Sequence, residues 1–366
     1  MRYYRPTWAE INLDNLEHNF SQIKKQVAAK TKILVTVKAD AYGHGLAPVS
    51  KRLEAIGVNF LGVASIDEGI KLREAGITVP VLVLGLILKS DALPLFEYGL
   101  AASVCDQESA RAFNSKAVKL GKKLNVHIKV DTGMGRIGVA HYDAHKLVKK
   151  IHGFKHLNVE GIFTHLAFAD MNQEFTFYQI SLFDKLLKDL RKDGVRVPLA
   201  HAANSLGVLN YENSHFNMVR PGLVIYGLYP KENLKINLKP VLKLKTRVIF
   251  VKKVPAGSGI SYGHDYITGK ATKIATLPIG YGDGYPRNLS NKAPVLINGK
   301  RFKVCGRICM DQVMVDVGNE NVRIGDEVVL IGSQGKSSIT AEELAGLSGT
   351  VPYEIVCGLG SRIPRI

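Results

Sequence analysis

An α/β fold is predicted for this chain: an amino-terminal (β/α)8 TIM-type barrel followed by a mostly-β domain. Short apolar runs alternate with amphipathic stretches as far as residue 225, and the runs are apolar continuously rather than at every second position. Beyond residue 240 the texture changes to β-type runs cut by Gly, Pro, Asn and Asp. Continuous apolar character belongs to strands covered on both faces, the situation of parallel strands joined by helical crossovers.

The strand-like runs lie at 33–37, 60–64, 81–84, 101–104, 126–130, 159–164, 199–203 and 218–225. Eight such runs are the number that closes a barrel; a doubly wound open sheet is the alternative, because counting runs does not prove closure. Helical stretches such as 67–75 and 107–120 supply crossovers. A polar segment with a proline at each end, 230–240, breaks the pattern. The runs after it, 243–254, 273–278, 294–297, 303–305, 312–317 and 327–331, are β-rich, with one helix candidate at 341–347. A chain of 366 residues exceeds the size at which one core usually stops growing, so two domains are expected. Their limits are set at 1–235 and 236–366, with residues 1–13 free to pair with the second domain.

Lys and Arg number 49 against 32 Asp and Glu, a formal net charge of +17. That excess would suit nucleic acid, but the basic residues are scattered over helical stretches without the aromatic interleaving that stacks bases. A solvated basic surface is the reading adopted, with no nucleic-acid partner. No stretch approaches the ~20 apolar residues of a membrane helix, and the amino terminus lacks the apolar segment of a secretory signal. A cytoplasmic protein without membrane association is expected. The four cysteines, Cys105, Cys305, Cys309 and Cys357, show no C-x-x-C spacing and are expected as free thiols.

The chemistry begins at Lys38, which closes the first apolar run and is followed by Ala39-Asp40-Ala41-Tyr42-Gly43-His44-Gly45. A lysine at a strand end is ordinarily solvated. One that must condense with a carbonyl as a Schiff base needs partial desolvation, which disfavours its ammonium form. A barrel concentrates function at the carboxyl ends of its strands, and polar groups fall there repeatedly. Lys38 ends the first run, Lys129 and the loop 131–136 the fifth, His165 the sixth, Asn204 and Ser205 the seventh, while Arg220, Pro221, Gly222 and Leu223 interrupt the eighth. Gly257-Ser258-Gly259 lacks the following helix of a dinucleotide fingerprint. His127, His165 and His201 fall on separate runs without ligand spacing, so no metal site is assigned.

The runs V-K-A-D-A-Y-G-H-G, D-T-G-M-G-R-I-G, H-A-A-N-S, R-P-G-L-V-I-Y-G, G-I-S-Y-G, I-G-Y-G-D-G, G-R-I-C-M-D-Q and V-P-Y-E together resemble the motifs of the alanine racemases, in that family's order and over almost the whole chain. The resemblance implies pyridoxal 5'-phosphate as cofactor, L- and D-alanine as substrate and product, D-alanine supply for peptidoglycan, and a homodimer with shared active sites. It implies that Lys38 holds the cofactor and serves as base on one face of Cα. Tyr262 of the partner subunit serves as base on the other face, since reversing configuration needs proton removal and delivery on opposite sides. A free phenol with a pKa of about 10 is a poor base, and His165 and Arg220 match the family's supporting hydrogen-bond chain. Arg220 would face the pyridine nitrogen and keep it unprotonated, where related barrel decarboxylases use an acid.

Tyr42, Ser205, Gly222, Leu223 and Tyr353 match the phosphate cradle. Arg136 and the backbone N–H of Met310 match the substrate carboxylate site, and Lys129 matches a position that in many members carries a carbamate. Asp170, Arg287 and Arg307 correspond to a polar layer on the approach to the site. A broad-specificity or serine racemase of the same fold is the nearest alternative. A non-catalytic pyridoxal-phosphate-binding protein is the alternative of another class.

Overall fold

The structure is a computed structural model that describes residues 4–230 and 234–366; part of the expected linker, 231–233, lies outside the described residues. Eight parallel strands form the first domain: Lys32–Thr36, Phe60–Val63, Val81–Val83, Ala101–Val104, Leu124–Asp131, Leu157–Phe163, Leu199–His201 and Met218–Val219. Each pairs with the next in chain order. Met218 and Val219 then pair with Lys32 and Ile33, so the sheet closes on itself and the open-sheet alternative falls. The strands are buried along nearly their whole length, which is why their sequences read as continuous apolar runs.

Two runs behave differently from the expectation. The 218–225 run supplies only Met218–Val219 to the barrel, and Leu223–Tyr226 is a 3-10 turn. Pro221 has no N–H for a ladder and Gly222 turns the chain at φ −124°, ψ −93°. The apolar character of the remainder reflects burial alone, since Leu223 to Tyr226 are all fully buried. In the second domain, the 243–254 run divides into Leu242–Arg247 and Phe250–Val254. The break comes at Val248, whose N–H donates to Asp326 O at 3.0 Å while Gly325 N donates back to Val248 O at 2.8 Å.

The helices 66–74 and 107–120 form where the sequence places crossovers, each started by a side-chain cap. Ser65 accepts from Glu68 N at 3.4 Å and Asp106 from Ser109 N at 2.7 Å, satisfying backbone donors that a helix start leaves open.

The second domain is an antiparallel sheet ordered Thr7–Ile11, Leu242–Arg247, Glu327–Gln334, Pro294–Ile297, Lys300–Val304, Val313–Gly318, Thr272–Leu277 and Phe250–Val254, with Ser337–Ile339 added on Glu327–Gln334. The amino-terminal strand therefore belongs to this sheet, through Thr7↔Thr246 to Ile11↔Leu242. Buried hydroxyls of Thr7 and Thr246 meet at 2.8 Å, and Arg5 makes an ion pair with buried Asp283.

The domains lock together where the helix Pro352–Cys357 packs on the segment after Lys38. A Cβ on Gly43 would lie 2.1 Å from Val356 O, and Gly43 already holds φ +78°. Gly121, at φ +62°, has nothing within 4 Å of the same position. Gly121→Ala is expected to cost about 1 kcal/mol from backbone strain alone, and Gly43→Ala about 3 kcal/mol because overpacking is added. Urea unfolding of the two variants measures the difference.

Candidate active site

Past the first strand the backbone does something its residue types do not announce. Ala39, Asp40, Ala41 and Tyr42 all hold φ between +52° and +54°, a full left-handed turn without glycine. Each such residue costs about 1–2 kcal/mol, so surrounding contacts must hold it. The Glu68 carboxylate accepts from Ala39 N at 2.6 Å and Ala64 N at 2.7 Å. Asp40 Oδ1 accepts from Leu46 N at 2.7 Å, and Arg365 Nε donates to Gly43 O at 3.0 Å. His44 is buried, which pushes its pKa down to about 4, and the neutral ring donates from Nδ1 to Tyr42 O at 2.8 Å. The turn carries Lys38 and Tyr42 to one cavity at the carboxyl ends of the strands.

That cavity measures about 280 Å³. Neutral donors form part of its lining: the hydroxyls of Tyr42, Ser205 and Tyr353, with Gly222 and Leu223. Gly222 N donates to Ser205 Oγ at 3.1 Å, and a Cβ at Gly222 would reach 2.6 Å from the Tyr42 hydroxyl, so the cradle requires glycine there. Burial raises the Tyr42 phenol well above its usual value and the Tyr353 phenol to about 12, so both are donors at neutral pH. Tyr353 comes from the second domain and stands beside Tyr42, ring centroids 5.9 Å apart.

The cations Lys38, Lys129, Arg136 and Arg220 line the cavity too, with His165, and among the described residues no carboxylate does. Burial, and then the charge of Arg136, lower the Lys38 amine below its usual value. Burial, followed by the charge of Arg220, brings Lys129 down to about 7. The same two causes push His165 well below the normal imidazole range. Arg220, lowered by burial to about 9, stays charged; it donates to His201 Nδ1 at 2.8 Å, Thr164 O at 2.7 Å and Ala202 O at 3.1 Å. Those bonds use three of its five N–H groups and leave donor capacity. Phe163 lies beneath both Lys129 Nζ, 5.1 Å from its ring centroid, and Arg220 Cζ, 5.3 Å from it. Asp131 shapes the loop bearing Arg136 by accepting from Gly133, Met134 and Gly135 N at 2.8–3.2 Å.

Lys38, Tyr42, Lys129, Arg136, His165, Ser205, Arg220, Gly222, Leu223 and Tyr353 thus line one cavity. Tyr262 and Met310 do not: they line a separate groove on the second domain, 69% and 53% exposed, beside Cys309 and Asp311. Arg307 makes an exposed ion pair with Asp265; Arg287 starts a 3-10 turn, and the charge of Asp170 reaches Tyr353. Sequence reasoning missed Phe163, and it treated His127 and His201 as dispersed. The two rings meet at 2.9 Å. Their signal was polar residues inside otherwise apolar strand runs, the mark of side chains pointing into a barrel.

Residues 11–230 match the family described as alanine racemase, N-terminal domain, and residues 241–366 that described as alanine racemase, C-terminal domain. The chain belongs to the alanine racemase family. It is 48% identical to the alanine racemase of Halothermothrix orenii, covering 100% of this chain and 97% of that protein. The corresponding figures for the Carboxydothermus hydrogenoformans alanine racemase are 47%, 99% and 99%. Among solved structures, the alanine racemase of D-cycloserine-producing Streptomyces lavendulae superposes with a TM-score of 0.95 at 34% identity, covering 100% of this chain and 97% of that one. The Bacillus anthracis alanine racemase with bound L-Ala-P gives 0.93 at 38%, with 100% and 96% covered.

The family depends on pyridoxal 5'-phosphate, and the alanine racemase cavity fits that group. A lysine amine with depressed basicity is present for its carbonyl, neutral donors around Gly222 for its phosphate, and a buried guanidinium with unused N–H groups for its ring nitrogen. The positive charge of the Lys38, Lys129, Arg136 and Arg220 side chains that line the cavity matches an anionic guest.

The folded protein gives up the Lys129 proton near pH 7, whereas an unfolded chain keeps it to about 10.5. Between those limits the unfolded state binds more protons, so this residue's share of stability rises with pH. Without added cofactor, Lys129→Met is expected to be more stable than wild type at pH 7, with the advantage shrinking toward pH 10. Chemical denaturation across that range checks the sign.

Proposed function

We propose that the chain interconverts L- and D-alanine with Lys38 and Tyr262 of the partner subunit as the two proton-transferring groups on opposite faces of Cα. The observation that carries this reading is the cavity itself, where a lysine amine of lowered basicity stands among cations and no carboxylate of the described residues joins the lining. Pyridoxal phosphate, when bound, supplies the electron-withdrawing ring that acidifies the substrate Cα–H. Lys38, freed by the incoming amine, takes or returns the proton at its own face, and its lowered pKa favours the neutral, proton-accepting form. His165, neutral through burial and the charge of Arg220, offers an acceptor to the Tyr262 hydroxyl of the partner subunit. Arg220 would hold the cofactor through its ring nitrogen and keep that nitrogen unprotonated, which would limit charge delocalisation and disfavour transamination. Arg136 and the N–H of Met310 of the partner subunit hold the substrate carboxylate.

A homodimer belongs to this reading because the Tyr262 groove and the Lys38 cavity are separate in one chain, and Tyr262 is exposed. The domain limits 1–235 and 236–366, with the amino-terminal strand counted in the second domain, belong to it as well and are supported by the Thr7–Ile11 pairing. So does a cytoplasmic place in supplying D-alanine for peptidoglycan: no helix among the described residues is long and apolar enough to cross a membrane, and the cysteines are free thiols.

Lys38→Ala and Tyr262→Ala homodimers are each expected to lack racemase activity. Mixing them should restore it, because subunit exchange leaves one of two shared sites intact; exchange verified by mass without recovery would place both groups in one chain. Lys129 is proposed to carry a carbamate, since an amine titrating near pH 7 offers the neutral form that adds carbon dioxide. Carbon-13 bicarbonate should give a carbamate resonance that disappears in Lys129→Asn.

A further inference from the structure

Behind Arg220 a line of polar side chains runs through the barrel core, away from the cavity. Arg220 Nη1 lies 2.8 Å from His201 Nδ1, His201 Nε2 lies 2.9 Å from His127 Nδ1, and His127 Nε2 lies 3.1 Å from Glu160 Oε2. His127 and His201 are completely buried, whereas the Glu160 side chain is 20% exposed. Glu160 and Asn125 line a depression at the opposite, amino-terminal mouth of the barrel. Asn125 Nδ2 donates to Glu160 Oε1 at 3.2 Å and Asn158 Nδ2 to Asn125 Oδ1 at 2.9 Å, completing the outer end.

The line has one possible sense. A guanidinium can only donate, so His201 Nδ1 must accept and the His201 proton sits on Nε2. That N–H donates to His127 Nδ1, which puts the His127 proton on Nε2, facing the carboxylate. Burial holds both rings below the normal imidazole range, so each carries a single proton. The neighbours are shaped for these rings. A Cβ on Gly161 would lie 2.2 Å from His127 Nδ1, and Phe163 stacks on His201 at 4.8 Å with 1° between the planes.

We propose that Glu160 is a positioning residue for the reaction: through His127 and His201 it fixes the hydrogen-bond direction at Arg220 and so the guanidinium's placement in the cavity. This rests on the reading that Arg220 faces the cofactor ring. Removing the carboxylate leaves a buried N–H on His127 without an acceptor, an arrangement that is unfavourable because the donor's desolvation is no longer offset. Reversal of both tautomers relieves it, since His127 Nδ1–H can donate to His201 Nε2. The His201 proton then moves to Nδ1 and confronts the Arg220 N–H across 2.8 Å, donor against donor. The guanidinium must shift.

The test uses the holoenzyme labelled with nitrogen-15 histidine, in which long-range nitrogen–proton spectra report each ring's tautomer. Wild type and Glu160→Gln, whose amide oxygen still accepts, should show both rings protonated on Nε2. Glu160→Leu should populate Nδ1–H on both, shift the absorbance band of the bound cofactor, and lower kcat about tenfold, the scale of lost second-layer contacts, with KM little changed. Glu160→Ala replaces leucine if that side chain prevents folding. Nδ1–H rings in the wild type, or leucine and glutamine variants alike in tautomer and kcat, would overturn the proposal. Reversed tautomers with an unmoved cofactor band and kcat would overturn Glu160's role in the reaction while leaving the relay intact, and would place the fault in the position assigned to Arg220.

Discussion

Positive charge crowded into a desolvated barrel mouth is the constraint on which the rest of this protein depends. Lys38, Lys129, Arg136 and Arg220 share one cavity that, among the described residues, no carboxylate lines. Burial, and after it the charge of neighbouring cations, holds the two amines and His165 below their ordinary values, while Arg220 keeps its charge. Amines of lowered basicity and a neutral histidine are what the proposed proton transfer at Cα calls on, so that chemistry would draw on the same electrostatic imbalance. The imbalance also selects the guest, because a phosphate and a carboxylate relieve it.

The fold bears the cost of that arrangement in two ways. Four residues after Lys38 sit in left-handed geometry that none of them prefers, and contacts from Glu68, His44, Arg365 and the helix Pro352–Cys357 over-determine it. Three of those four supports come from outside the first barrel helix, and two come from the carboxyl-terminal part of the chain. The second domain is thus a clamp on the turn that follows Lys38 as well as the carrier of Tyr353. Arg220, the second cost, is a buried cation whose compensation is routed through two imidazoles to the far mouth of the barrel. Neutral rings carry that coupling without bringing a negative charge to the cavity.

Tyr262 and Met310 stand apart from the Lys38 cavity in a single chain, on an exposed groove of the second domain. In the proposed dimer, division of the opposed acid–base groups between subunits would have a physical advantage. Each face of the substrate would be approached from a different rigid body, so neither group would need a long flexible arm to reach around Cα.

Much of this was legible in the amino-acid sequence alone. Continuous apolar runs marked the barrel strands, Gly, Pro, Asn and Asp marked the change to a β domain, and the motifs at Lys38, Arg136, Ser205, Arg220 and Tyr353 marked the site, because strand period, turn chemistry and short motifs are local properties of the chain. Closure through Met218 and Lys32, the left-handed turn at Ala39–Tyr42, and the end of the eighth strand at Val219 were decided by tertiary structure. So was the meeting of His127 with His201, 74 residues apart, and with Glu160. These depend on the stagger of a closed sheet and on which side chains face its interior, which no single segment encodes. A left-handed turn of Ala, Asp, Ala and Tyr exists only because distant groups hold it.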